Sequence, residues 1–114
     1  MRIIIAGGRK FRNYALLEQV MKEYEDTISE VVCGCADGAD SLGELWGRKH
    51  GVPISYFPAQ WDKYGNAAGP IRNAEMAEYG DFLVAFWDGQ SRGTANMIQA
   101  MKNQGKHGRV VIYS

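Results

Sequence analysis

No apolar run in this 114-residue chain approaches the roughly 20 residues that a membrane-spanning helix needs, and the amino-terminal MRIIIAGG turns glycine-rich too soon for a secretory signal. The expected location is cytoplasmic. Excess charge is missing as well: 13 Lys and Arg stand against 13 Asp and Glu, so nothing supplies the basic stripe that an extended nucleic-acid surface or an anionic membrane face requires. Any anion must be held by local groups. Cysteine is scarce, and Cys33 and Cys35 lie one residue apart near the end of a predicted strand, where alternate side chains point to opposite faces. That spacing disfavours a mutual disulfide, and without histidines at matching spacing it makes a poor zinc site. Both are expected as buried free thiols, with no metal and no required cofactor; His50 and His107 stand alone and are read as surface residues. The chain is 46% hydrophobic and 23% charged, an ordered globular composition, and its length leaves room for one core only. A single domain over residues 1–114 is expected.

What is present is organised around Phe82 to Thr94, FLVAFW followed at once by DGQSRGT. The six apolar residues read as a strand buried on both faces. Asp88, Gly89, Ser91 and Gly93 break it, Arg92 adds a fixed charge, and Thr94 is the expected opening of a helix that runs to Lys102. A strand, a glycine-rich loop and a helix start in that order aim free backbone N–H groups and the positive end of a helix dipole at one spot, which suits a phosphate.

The other loops repeat the design. Arg2 to Ala6 reads as a strand ending in Gly7-Gly8, where small residues let a ligand approach the backbone, followed by Arg9, Lys10 and Phe11. From Tyr14, apolar Leu16, Leu17, Val20, Met21 and Tyr24 recur at helical spacing, with Asn13 as the expected cap. Glu30 to Cys33 is a second strand ending in GCADGAD, where Gly34 and Gly38 supply flexibility and Asp37 and Asp40 sit at the start of a helix whose core stripe is Leu42, Leu45 and Trp46. Two carboxylates exceed what a cap needs, and Asp37 is the candidate for a ribose hydroxyl or a water. After a third strand, Pro53 to Phe57, the stretch Pro58 to Gly69 has neither helical nor alternating period and reads as a long functional loop. In it Trp61 and Tyr64 either stack on a base or cover the core. Pro70 suits a first helical position, which puts Arg72 and Asn73 in the first turn of a helix to about Tyr79. Arg109 to Tyr113 is the fifth strand.

Alternating strands and helices imply parallel strands with right-handed crossovers: an α/β Rossmann-like three-layer sandwich with a five-stranded parallel sheet in the order 3-2-1-4-5. In that order the first and fourth strands meet at the switch point, where ligands sit outside the carboxyl ends of the strands. Gly7, Gly8, Arg9, Gly34, Asp37, Gly38, Asp40, Arg72, Asn73, Asp88, Gly89, Ser91, Arg92, Gly93 and Thr94 all fall at that end. The opposite turns carry no comparable cluster.

With GGRKF after strand one, GCADGAD after strand two, AGPIRN before the third helix and FWDGQSRGT after strand four, the sequence resembles the SLOG superfamily, and within it the YspA-like (YpsA-related) family of small Rossmann-like nucleotide-binding proteins. The resemblance spans nearly the whole chain. It implies binding of a nucleotide or nucleotide-derived ligand, NAD- or ADP-ribose-like, by a sensor or binding module. Parallel edge strands and exposed tryptophans are compatible with a homo-oligomer. The superfamily also includes the LOG-type phosphoribohydrolases, whose signature is PGGxGTxxE with an upstream arginine. Gly93-Thr94 matches the GT step and Arg72 the arginine, but Met97 stands where the glutamate belongs. The alternative function implied is an N-glycosidic bond hydrolase using Asp37 or Asp88 as a substitute carboxylate with Arg72 beside it.

Overall fold

A computed structural model describes all residues, Met1–Ser114. Five strands, β1 (Arg2–Gly7), β2 (Glu30–Cys33), β3 (Ile54–Tyr56), β4 (Phe82–Trp87) and β5 (His107–Ile112), pair in parallel in the order β3-β2-β1-β4-β5. In the register, Ile3 lies between Val31 of β2 and Phe82 of β4. The central strands carry side chains buried on both faces, which is why they read as continuous apolar runs rather than as alternation.

Those faces bury against two helical layers. Ile3, Ile5, Val31, Val84 and Phe86 pack under helices α1 (Tyr14–Met21) and α2 (Ala39–Lys49), which contribute Leu17, Val20, Met21 and Trp46. On the other face Ile4, Ala6, Val32, Leu83 and Ala85 meet Met76 and Ala77 of α4 (Ala68–Tyr79) and Met97 and Met101 of α5 (Arg92–Asn103). Each fully buried large side chain contributes about 1.5–3 kcal/mol, so the two layers hold the sheet from both sides. A one-turn helix α3 (Trp61–Tyr64) precedes α4. The Asn13 side chain caps α1, accepting from the Leu16 amide at 3.0 Å.

Several expectations are corrected. Leu45 is 40% exposed and off the core stripe of α2, whose inner face is Ala39, Gly43, Trp46 and Gly47. A Cβ at Gly43 would lie 2.6 Å from Ile5 Cγ2, so the helix backbone rides directly on β1 and the large side chain beside that seam is turned outward. Pro58–Gly69 is more helical than a loop: α3 is followed by a 3-10 turn at Gly65–Ala67, and α4 begins at Ala68. Pro70 is therefore its third residue, still within the first turn, where a missing N–H costs nothing. Arg72 and Asn73 move into the second turn, away from the repulsive end of the dipole. The fourth interhelical boundary shifts in the same sense: α5 begins at Arg92 with Ser91 as N-cap, and Thr94 is its third residue. Cys33 is buried, but Cys35 is exposed, in a left-handed conformation at φ 65° just past the strand; both thiols are free.

A cavity at the switch point

Outside the carboxyl ends of β1 and β4 lies a cavity of about 690 Å³, within the range of small-molecule sites. Its floor is Ala6 with Met76 and Met97, and its rim carries Trp61, Lys10 and Tyr113. Of the residues read from the sequence, Gly7, Gly8, Arg9, Asp40, Arg72, Asn73, Asp88, Ser91, Arg92, Gly93 and Thr94 line it; Gly34, Asp37, Gly38 and Gly89 do not.

The α5 side presents a helix start with open amides. Asp88 Oδ1 accepts the amides of Gln90 at 2.9 Å and Ser91 at 2.8 Å, and these bonds hold its carboxyl below the usual range while folding the loop over the helix start. The first intrahelical bond runs from the Ala95 amide to Ser91 O at 3.1 Å, and the Ser91 side chain caps no amide. The N–H groups of Arg92, Gly93 and Thr94 consequently have no acceptor in the chain, at the positive end of a twelve-residue helix. A Cβ built at Gly93 meets no atom within 4 Å. Thr94 is buried, with Oγ1 donating to Ser91 Oγ at 3.4 Å.

The α4 side supplies a positioned guanidinium. Arg72 donates through Nη1 to Gly34 O and through Nε to Asn73 Oδ1 at 3.0 Å. Asn73, itself buried, donates through Nδ2 to Gly93 O at 3.2 Å and Asn96 Oδ1 at 2.9 Å. One side chain thus ties the arginine to the very turn that presents the free amides. Gly34 contributes from behind, as the carbonyl that orients Arg72.

The carboxylates separate sharply. Asp37 is exposed, its side chain bonds to nothing in the chain, and it lies off the cavity lining, away from where the sequence reading placed a ribose contact. Asp40, in the first turn of α2, is 5% exposed and faces the cavity. Its Oδ2 accepts the Ala36 amide at 3.2 Å. Burial pushes its pKa up to about 6, against the lowering effect of that bond and of Arg72 and Arg9.

The glycines of the first two loops serve the chain itself. The space a Cβ would take at Gly7 is filled by Phe86 O at 2.1 Å, and at Gly8 by the Tyr113 hydroxyl at 2.0 Å. Gly38, at φ +75°, would strike Gly8 O at 2.2 Å, and it lets the second loop close on the first. Sequence reasoning missed Asn96, Tyr113, Met76, Met97 and Ala36 as lining residues. Tyr113 was findable, since it directly follows β5, the strand adjacent to β4; Asn96 was findable as a polar residue one helical turn beyond Gly93. Trp61, 49% exposed at the rim, covers no core, whereas Tyr64 stands away from the cavity.

Comparison with known proteins agrees with this architecture. Residues 1–64 match the family model described as YspA, cpYpsA-related SLOG family. Gene 61 protein of Mycobacterium phage D29 is 30% identical over 115 residues, covering 91% of this chain and 90% of its own. DNA processing protein A (DprA) from Streptococcus pneumoniae has the same fold, with a TM-score of 0.80 over 99% of this chain at 15% identity. This chain spans half the length of that DprA chain. SLOG proteins are associated with nucleotide-derived ligands, and on the family match and the phage relative together this chain belongs to the YspA, cpYpsA-related SLOG family.

Proposed function

We propose that the protein binds a nucleotide or a nucleotide-derived ligand of the NAD or ADP-ribose kind in the switch-point cavity, as a sensor or binding module. The observation that carries this reading is the unpartnered first turn of α5, three amides with Arg92 among them and Arg72 held opposite through Asn73. A phosphate suits the three free amides, and the guanidinium N–H groups that Arg72 and Arg92 do not spend on the chain suit its remaining oxygens. Trp61 at the rim offers a face for a base.

Binding is favoured over hydrolysis by the placement of the two carboxylates, Asp37 and Asp88, that would have to replace the missing glutamate. Met97 on the cavity floor can neither take a proton nor stabilise an oxocarbenium ion, Asp88 is engaged by two amides, and Asp37 lies off the cavity. A thermal-shift screen of nucleoside monophosphates, NAD, ADP-ribose and cyclic nucleotides, each mixture then assayed for free base, tests the proposal. At a hundred times its dissociation constant a ligand stabilises the fold by about 2.7 kcal/mol, a shift of several degrees for a domain of this size. A shift with intact ligand supports binding; released base supports the hydrolase; no shift with any compound contradicts both.

A further inference from the structure

Asp40 is a buried carboxylate with an unfilled role. One oxygen takes the Ala36 amide, and the other receives no hydrogen bond from the chain. The two arginines nearest in charge terms do not neutralise it by contact: Arg72 directs Nη1 and Nε to Gly34 O and Asn73 Oδ1, and every ion pair of the molecule lies elsewhere. The spare acceptor of this 5% exposed carboxylate is not sealed off, since the buried side-chain atoms without a partner are Tyr14 Oη and Trp46 Nε1, and it is therefore open to a donor in the cavity.

A phosphate cannot be that donor, because two like charges repel, and Asp40 therefore steers an anion toward the α5 amides. The group that belongs here is a neutral donor carried by the ligand whose anion the α5 turn holds, since both line one cavity. In a nucleotide the part joined directly to the phosphate is the sugar, whereas the base lies farther out and is better matched by Trp61 at the rim. We infer that Asp40 accepts a ribose hydroxyl, so that the site selects ribosyl over deoxyribosyl phosphates. This inference rests on the proposed phosphate site and assigns to Asp40 the sugar contact that the sequence suggested for Asp37.

The test is calorimetric titration with the four common ribonucleoside 5′-monophosphates and their 2′-deoxy and 3′-deoxy counterparts, on the wild type, Asp40→Asn and Arg92→Ala. In the wild type at least one deoxy form of the tightest-binding nucleotide should bind about tenfold or more weakly, the usual scale for a hydrogen bond to a charged group. Asp40→Asn should bind the ribo form more weakly and lose that discrimination. Its fold is checked by thermal melting, and Asp40→Ser gives a second variant that removes the carboxylate. Equal affinity for all three sugars in the wild type, or discrimination retained in both variants, overturns the assignment and leaves a water on Asp40. In that case Arg92-dependent binding still upholds the phosphate site, while no binding by any nucleotide removes the site and the sugar contact together.

Discussion

At the scale of single residues, two positions separate ligand from fold. A methyl group at Gly93 meets nothing in the chain, and alanine is the better helix former by up to about 1 kcal/mol. Gly93→Ala should melt no lower than the wild type while binding nucleotide at least tenfold more weakly, as measured by a thermal melt and a titration on the same preparation. Asp40 gives a second such case. Its folded pKa of about 6 lies above the ordinary 3.8, so the folded state holds its proton more tightly than the unfolded chain does. The stabilisation from this group is complete below about 3.8 and is lost as pH rises through 6, a difference on the order of 3 kcal/mol at neutral pH. Asp40→Asn should therefore be more stable than the wild type at pH 7, with the gap closing by pH 4. Denaturant unfolding at the two pH values reads this directly, and an equal gap at both would contradict it. The sequence placed Asp40 in the site but ranked Asp37 above it, because spacing alone does not reveal which carboxylate of GCADGAD is turned inward by the helix start at Ala39.

At the scale of elements, α4 is held at both ends by side chains with different jobs. Near its start Asn73 joins Arg72 to α5; at its end Lys106 Nζ donates to the carbonyls of Ala77, Glu78 and Gly80 at 2.8, 2.9 and 2.7 Å. Asn73→Ala should lower stability by about 1–3 kcal/mol, the cost of leaving buried partners unpaired, and Lys106→Met by about 1 kcal/mol, since its carbonyl partners are only partly buried. Only Asn73→Ala should also weaken nucleotide binding, since only it frees Arg72. Equal affinities in the two variants would show that the Asn73 link does not serve the ligand. Element identity was legible from periodicity, but helix starts were not. Ser91 and Thr94 are both good N-caps, and nothing in DGQSRGT itself chooses between them; the choice follows from Asp88 folding back on the Ser91 amide. Leu45 misled for a related reason: apolar spacing implied that the largest residues face inward, while α2 docks through its glycines.

At the scale of the whole molecule, the strand order was legible because each central strand is an uninterrupted apolar run and each connection carries a helix, which leaves few arrangements open. That order alone brings the four loop clusters to one end and creates the cavity. Neutral overall charge and a locally cationic pocket follow from the same layout: Arg9, Lys10, Arg72 and Arg92 line a site whose acidic groups are Asp40 and Asp88. Nucleotide affinity should thus fall with added salt only modestly, since the field is local rather than global, and a steep salt dependence would point to a polyanion instead.

The central claim is that a phosphate rests on the first turn of α5. The most direct measurement is an amide nitrogen–proton correlation spectrum of the labelled protein with and without AMP or ADP-ribose. The account predicts that the largest shifts fall on Arg92, Gly93 and Thr94, the three amides with no partner in the chain. Saturable binding whose largest shifts lie away from this turn, with these three unmoved, would contradict it.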